Sequence, residues 1–220
     1  MTLYKRIILF IAMAASASIA YVSAQQPEGN DPYAGYVEET FLDMDFDPNL
    51  ATPAVPDRSK AAVCRYVRKV AEGLVNTYTV DLMRDGEVMV ISVPTDDLFL
   101  PNDTLLAPGS EKVLSRLEPL FADAMMYKIV LSMNVDNTGS EVYRERKSLA
   151  RLNSVYEWML GLIDSGRASE DLIIVPFSMD DGDPMTDNNT RSSRKENRRV
   201  EFYFIPGPKM ISQADSGQLQ

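Results

Sequence analysis

The stretch from Tyr127 to Arg151, YKIVLSMNVDNTGSEVYRERKSLAR, commits the chain to a strand, a polar turn and a helix in immediate succession. Ile129, Leu131 and Met133 alternate with Lys128, Val130 and Ser132, the period of two that a strand shows. Asn134 to Gly139 is too polar and too rich in turn formers to extend the ladder, and Thr138 with Glu141 fits a capping box. Val142, Leu149, Leu152, Val155, Tyr156, Met159, Leu162 and Ile163 then recur at helical spacing, and Gly166 suits a left-handed stop.

The flanking segments supply more of the same layers. Arg84-Asp85-Gly86 lies between two alternating runs, 77–83 and 87–93, as a hairpin connection does. Pro108 opens a helix whose buried face is Val113, Leu114, Leu117, Leu120, Phe121 and Ala124, with a kink expected at Pro119. A run from Asp171 to Phe177 carries Pro176, which marks a strand end or an edge. In the last strand, Arg199 to Ile205, the residues Val200, Phe202 and Phe204 face one way and Glu201 and Tyr203 the other. Two right-handed strand-helix-strand crossovers make this an α/β fold, a two-layer sandwich of a mixed sheet with helices on one face.

The chain ahead of the sheet sets the compartment. Lys5 and Arg6 precede the apolar run Ile7 to Ala14, and Val22-Ser23-Ala24 offers small residues for cleavage, so residues 1–24 read as a signal peptide for export to the periplasm. Residues 25–56 hold Pro27, Pro32, Pro48, Pro53 and Pro56 among many acids without a period, and read as an extended tether on which Phe41 and Phe46 dock locally. Residues 57–76 form an additional N-terminal helix with Val63, Val67, Val70 and Leu74 on one face, residues 77–206 the sheet domain, and residues 207–220 a disordered tail. The single cysteine, Cys64, has no partner for a disulfide and falls on the helix at a position expected to be buried.

Charge and composition exclude several functions. A formal charge of −10 repels nucleic acid and anionic lipid. The absence of histidine removes the usual general base, the Ser-His-Asp arrangement and the commonest zinc ligand, and no nucleophile elbow, phosphate loop or dinucleotide fingerprint replaces them. A binding protein without catalytic residues, cofactor or metal is the expectation. Asp180, Asp181, Asp183 and Asp187 around Gly182 lack the spacing of a calcium loop and read as a solvated turn. The basic run Arg191, Arg194, Lys195, Arg198 and Arg199 is expected to pair with those acids, the alternative being an anion patch.

Two separated motifs carry a resemblance. Val135-Asp136-Asn137-Thr138-Gly139-Ser140 with Tyr143, Ser148 to Arg151 and Val155 forms the first; Asn189-Thr190, Arg194 and Asn197-Arg198-Arg199-Val200-Glu201 forms the second. Together they resemble the peptidoglycan-binding domain named after outer-membrane protein A, over about residues 88 to 205 and without that family's outer-membrane barrel. The resemblance implies that Asp136 and Arg151 hold the diaminopimelate of the peptidoglycan stem peptide, with Thr138, Asn102 and Arg144 as further polar contacts. The residue types suit that ligand, because a carboxylate pairs with its ammonium and a guanidinium fork grips its carboxylate.

The chain also departs from the family pattern. Met133-Asn134-Val135-Asp136 stands where the family usually has Gly-His-Thr-Asp, and Arg144 and Lys147 replace an Asn and a Leu. Helical spacing puts Arg144, Lys147 and Arg151 on one face, where they either compete for Asp136 or lie solvated. The rival reading is a scaffold that has lost the ligand and serves as a protein-protein module in an envelope assembly, contacting an envelope or outer-membrane protein through the arm and the N-terminal helix.

Overall fold

The structure is a computed structural model that describes residues 38–181 and 184–220. The expected signal peptide and the first part of the expected tether, up to residue 37, lie outside the described residues.

Five strands form one mixed sheet. They are β1 (Thr79–Met83), β2 (Val88–Pro94), β3 (Tyr127–Asn134), β4 (Ile174–Asp180) and β5 (Arg199–Pro206), in the spatial order β1-β2-β5-β3-β4. All neighbouring pairs are antiparallel except β3 and β4. β4 lies at an edge, which tolerates Pro176 because the missing N–H leaves no ladder partner unsatisfied on the open side. The β1–β2 connection places Arg84, Asp85 and Gly86 at φ 52, 59 and 98, a run of left-handed conformations in which Gly86 meets no steric penalty.

The helices between and around the strands are α1 (Glu38–Leu42), α2 (Phe46–Leu50), α3 (Asp57–Glu72), α4 (Glu111–Leu114), α5 (Glu118–Phe121), α6 (Glu141–Asp164), α7 (Arg191–Asn197) and α8 (Pro208–Asp215). A 3-10 turn at Ser115–Leu117 separates α4 from α5, and Pro119 sits in the first turn of α5, where its missing N–H costs no hydrogen bond. The expected kink at Pro119 is therefore a break into separate pieces.

The main core lies between one sheet face and these helices. Met89, Ile91 and Val93, Ile129, Leu131 and Met133, and Val200, Phe202 and Phe204 pack there against Val63 and Val67 of α3, Leu114, Leu117 and Phe121, and Leu152, Val155, Met159 and Leu162 of α6. This is the two-layer α/β arrangement that the alternation implies. Cys64 of α3 is half-buried rather than buried, because the inward stripe of that helix runs through Ser59, Val63, Val67 and Ala71.

Two terminal segments depart from the expected organisation. The tail contains α8, in which Met210, Ile211 and Ala214 are buried, and Asp215 receives a two-pronged bond from Arg58 of α3 at 3.0 and 2.7 Å. A short run of apolar residues behind Pro208 is enough to fold when α3 offers a surface for it. The second part of the expected tether is also folded. Phe41 of α1 and Leu50 of α2 close the opposite sheet face, packing with Val88, Val90, Val130, Val175, Tyr203 and Ile205. Phe46 adds edge-to-face contacts with Phe177 and Tyr203, each at 5.3 Å between ring centroids.

Lys128 is the unusual member of that face. It is fully buried on β3, donating to the backbone oxygen of Asn49 at 2.6 Å and to its Oδ1 at 3.1 Å, with the Phe41 ring 4.4 Å away. Asn49 is itself aimed by donating from Nδ2 to the carbonyls of Phe41 and Met44.

Candidate functional site

Strand register builds the site. Pro94 at the end of β2 pairs with Arg199 at the start of β5, and Arg199 pairs with Asn134 at the end of β3. The residues just beyond these three therefore meet at one edge of the sheet: Thr95 and Asp96, Arg198, and Val135 and Asp136. The backbone N–H of Thr95 donating to the Arg198 carbonyl at 3.0 Å extends the ladder to this point.

Asp136 is held on both sides. Its Oδ1 accepts from the backbone N–H of Thr138 at 2.9 Å, and its Oδ2 accepts from Arg198 Nη1 at 2.7 Å. Burial pushes its carboxyl up, but the bonds from Arg198 and Thr138 outweigh burial and hold it below the usual carboxylate range. Arg198 also donates from Nε and Nη2 to the two oxygens of Asp96 at 3.0 and 2.8 Å, which lowers the Asp96 carboxyl as well. Thr138 thus fixes the turn rather than capping the helix. The N-cap is Ser140, whose hydroxyl accepts from the Tyr143 N–H, so the box expected from Thr138 and Glu141 is absent. Between them Gly139 has φ +94, and a Cβ there would lie 2.7 Å from the Tyr143 ring. Only glycine fits this bend.

Arg151 comes to the same place from α6. Ser148, one turn earlier, donates to the Met133 carbonyl at 3.0 Å and fixes the helix over the end of β3. Ser154 donates to the Thr104 carbonyl, drawing in the loop from the other side. Arg151 is only 3% exposed; Nε donates to the Asp103 carbonyl at 2.9 Å, Nη1 to the Thr95 hydroxyl at 3.3 Å, and the Phe99 ring lies 4.7 Å from the guanidinium. None of these partners carries a negative charge. Burial accordingly shifts its pKa downward, and Nη2 has no hydrogen-bond partner among the described residues.

A cleft of about 340 Å³ opens over these groups. All five residues expected at the site, Asp136, Arg151, Thr138, Asn102 and Arg144, line it. Asn102 reaches it from a left-handed loop position at φ 62. Arg144 is turned aside, its Nη1 donating to the Gly139 carbonyl and its Nη2 lying 3.1 Å from Asp181. Of the two readings of the stripe of Arg144, Lys147 and Arg151, competition for Asp136 is not realised: the cation bonded to Asp136 is Arg198. The expected pairing of the basic run with the acids after β4 is corrected too: Arg198 takes Asp96 and Asp136, and Arg199 takes Glu201 at 2.8 Å.

Asp96, Tyr143, Lys147, Arg191, Arg194 and Arg198 also line the cleft, with Pro101 and Val135, and were not among the residues expected to contact the ligand. Asp96 follows a strand end directly, as Asp136 does, and that shared position is the signal that points to it. Asn197, fully buried, holds the Arg191 side of the cleft by bonding Thr186 and Asn188 through both ends of its amide.

No protein-family model and no curated protein sequence matches the chain. Among solved structures, a MotB-like protein from Desulfovibrio vulgaris superposes with a TM-score of 0.55 at 22% identity, over 67% of this chain and 95% of that one. The chain has the fold of the OmpA-like domains. Other matches to this OmpA-like fold are more distant. The cell wall anchor of the T6SS from Pseudomonas aeruginosa aligns over 66% of this chain and 96% of its own, with TM-score 0.48 and 18% identity. The periplasmic domain of Helicobacter pylori MotB aligns over 64% of this chain and 95% of its own, also with TM-score 0.48 and 18% identity.

Proposed function

We propose that this OmpA-like domain binds peptidoglycan without covalent attachment, gripping the diaminopimelate of its stem peptide and anchoring an envelope component in the periplasm. The observation that carries the reading is Arg151, a buried cation with no carboxylate bonded to it among the described residues, opening on the same cleft as Asp136. Burial of this charge outweighs the pull of the nearby Asp96 and Asp103, and an anionic ligand bonded to it lowers that cost. Diaminopimelate brings a carboxylate and an ammonium on one carbon. Its carboxylate meets the free edge of the Arg151 fork, and its ammonium takes the remaining lone pairs of Asp136. Thr138 and Asn102 supply neutral polar contacts at the rim, and Arg144 stays with Asp181.

The domain works as a clamp, not a catalyst. The carboxylates in the cleft, Asp96 and Asp136, are both held ionised by Arg198, which suits charge pairing and not proton transfer at neutral pH. Export rests on the leader, and the arm that precedes α3 connects the anchor to its envelope partner.

The test is sedimentation of the protein with purified diaminopimelate-containing peptidoglycan beside Asp136→Ala and Arg151→Lys, each checked for folding. The parent should pellet with the wall and both variants should not, since a lysine keeps the charge but loses the fork. One observation favours a second reading: Asp136 is already bonded to Arg198. If the parent does not pellet, the scaffold serves as a protein-protein module and the bond to Arg198 is a structural one.

A further inference from the structure

Six basic side chains line the cleft against two carboxylates, in a protein whose formal charge is −10. Most of these cations are accounted for. Arg198 neutralises Asp96 and Asp136, Arg144 lies against Asp181, and Arg194 donates to the Asn188 carbonyl. Arg151 awaits the carboxylate of the diaminopimelate zwitterion. Lys147 and Arg191 are left over: Lys147 lies 5.4 Å from the Tyr143 ring, and neither has a carboxylate partner among the described residues.

Arg191 also works against its own helix. It occupies the first residue of α7, the end at which the helix dipole disfavours a cation, and no acid stands in that turn to offset it. The helix start is secured instead by the reciprocal Thr190 and Ser193 capping bonds, which do not involve the Arg191 side chain. Its position makes sense as a contribution to the cleft. A zwitterion alone carries no net charge and leaves the potential of these cations unanswered.

We infer that the cleft is built for a polyanionic stem peptide, in which free carboxylates beyond the diaminopimelate zwitterion are received by Arg191 and Lys147. The inference rests on the peptidoglycan reading and adds the form of the peptide to it. Lys147 and Arg191 then act as specificity-determining residues, selecting wall material whose stem carboxyls are unamidated. Two charged groups at the rim, reached by different carboxyls of one peptide, also orient the stem relative to Arg151 and Asp136.

The experiment is isothermal titration of the full chain with the tripeptide alanyl-γ-glutamyl-diaminopimelate in two forms. In one all carboxyls are free; in the other the glutamyl α-carboxyl and the main-chain carboxyl of diaminopimelate are amides, while the zwitterionic end is kept. The free acid should bind about tenfold more tightly than the diamide. In the doubly substituted Arg191→Gln, Lys147→Gln protein, with its fold confirmed by circular dichroism, that preference should shrink to about twofold or less. Equal binding of the two peptides by the parent, or an unchanged preference in the double variant, overturns the inference. Loss of both peptides with Asp136→Ala would then still support the diaminopimelate site. Failure of both peptides to bind the parent overturns the peptidoglycan reading itself.

Discussion

Arg198 donates to Asp136 at 2.7 Å and, through the other edge of the same guanidinium, to Asp96 at 2.8 Å, so one cation from the start of β5 holds two acids that follow β2 and β3. Without it the buried Asp136 and the more exposed Asp96 would line one cleft with no cation between them. Arg198→Gln should lower stability by about 1–3 kcal/mol, read from the midpoint of urea unfolding. The same change should raise the Asp136 carboxyl toward its ordinary range, which a pH titration by NMR would follow. An unchanged titration would mean that Thr138 alone controls Asp136.

Acid should unfold the protein in a narrow window. Asp96, Asp136 and Asp215 all have carboxyls lowered from the ordinary 3.8; for Asp215 the bonds from Arg58 and Ser59 bring it to about 2. A depressed folded pKa contributes stability that is complete above the unfolded value and lost as pH falls through the folded one. Thermal midpoints should therefore change little on account of these groups from neutral pH down to about pH 5, and drop below about pH 4. A steep loss already complete near pH 5 would show that other groups control acid stability.

Lys128 predicts the opposite trend on the alkaline side. Burial lowers its pKa from 10.5 to about 7, so the unfolded chain binds a proton that the folded chain releases between those values. Stability should rise as pH increases from about 7 toward 10, by on the order of 1–2 kcal/mol, because the Asn49 oxygens and the Phe41 ring partly compensate the ammonium. Lys128→Met should flatten that rise. Chemical denaturation at pH 7 and pH 9 on both proteins measures it.

The segment of α1 and α2 should be part of the folding unit. Phe41 is fully buried against the second sheet face and stands over Lys128. Phe41→Ala should cost about 3 kcal/mol, the range for removing a buried aromatic ring. Calorimetry should show one transition at lower temperature. A variant as stable as the parent would mean that the arm docks without supporting the sheet.

The sheet and its helices were legible because burial imposes a period. Ile129, Leu131 and Met133 had to share a face, as did Val200, Phe202 and Phe204, and the core contains both sets. Asp136 and Arg151 could be named from their motifs, and both line the cleft. Arg198 belongs to the second motif, but its meeting with Asp96 and Asp136 could not be read there, because it depends on the register of β2, β5 and β3, in which strands distant in sequence are neighbours. The helices of residues 38–50, beyond the docking of Phe41 and Phe46, and the helix of residues 208–215 were not legible for a related reason. Each is too short to be stable alone and folds only on a surface that the rest of the chain supplies.

By itself, then, the sequence determined the strand-turn-helix units, the bend at Gly139 and the types of charge available to a ligand, all of which arise from local sterics and hydrophobic periodicity. Only the tertiary structure decided which cation Asp136 faces, that Arg151 is buried with no acid bonded to it, and that Lys128 is enclosed by Asn49 and Phe41. Those pairings depend on strand order and on the docking of terminal segments, and a charge in a linear chain carries no record of which distant partner the fold will bring to it.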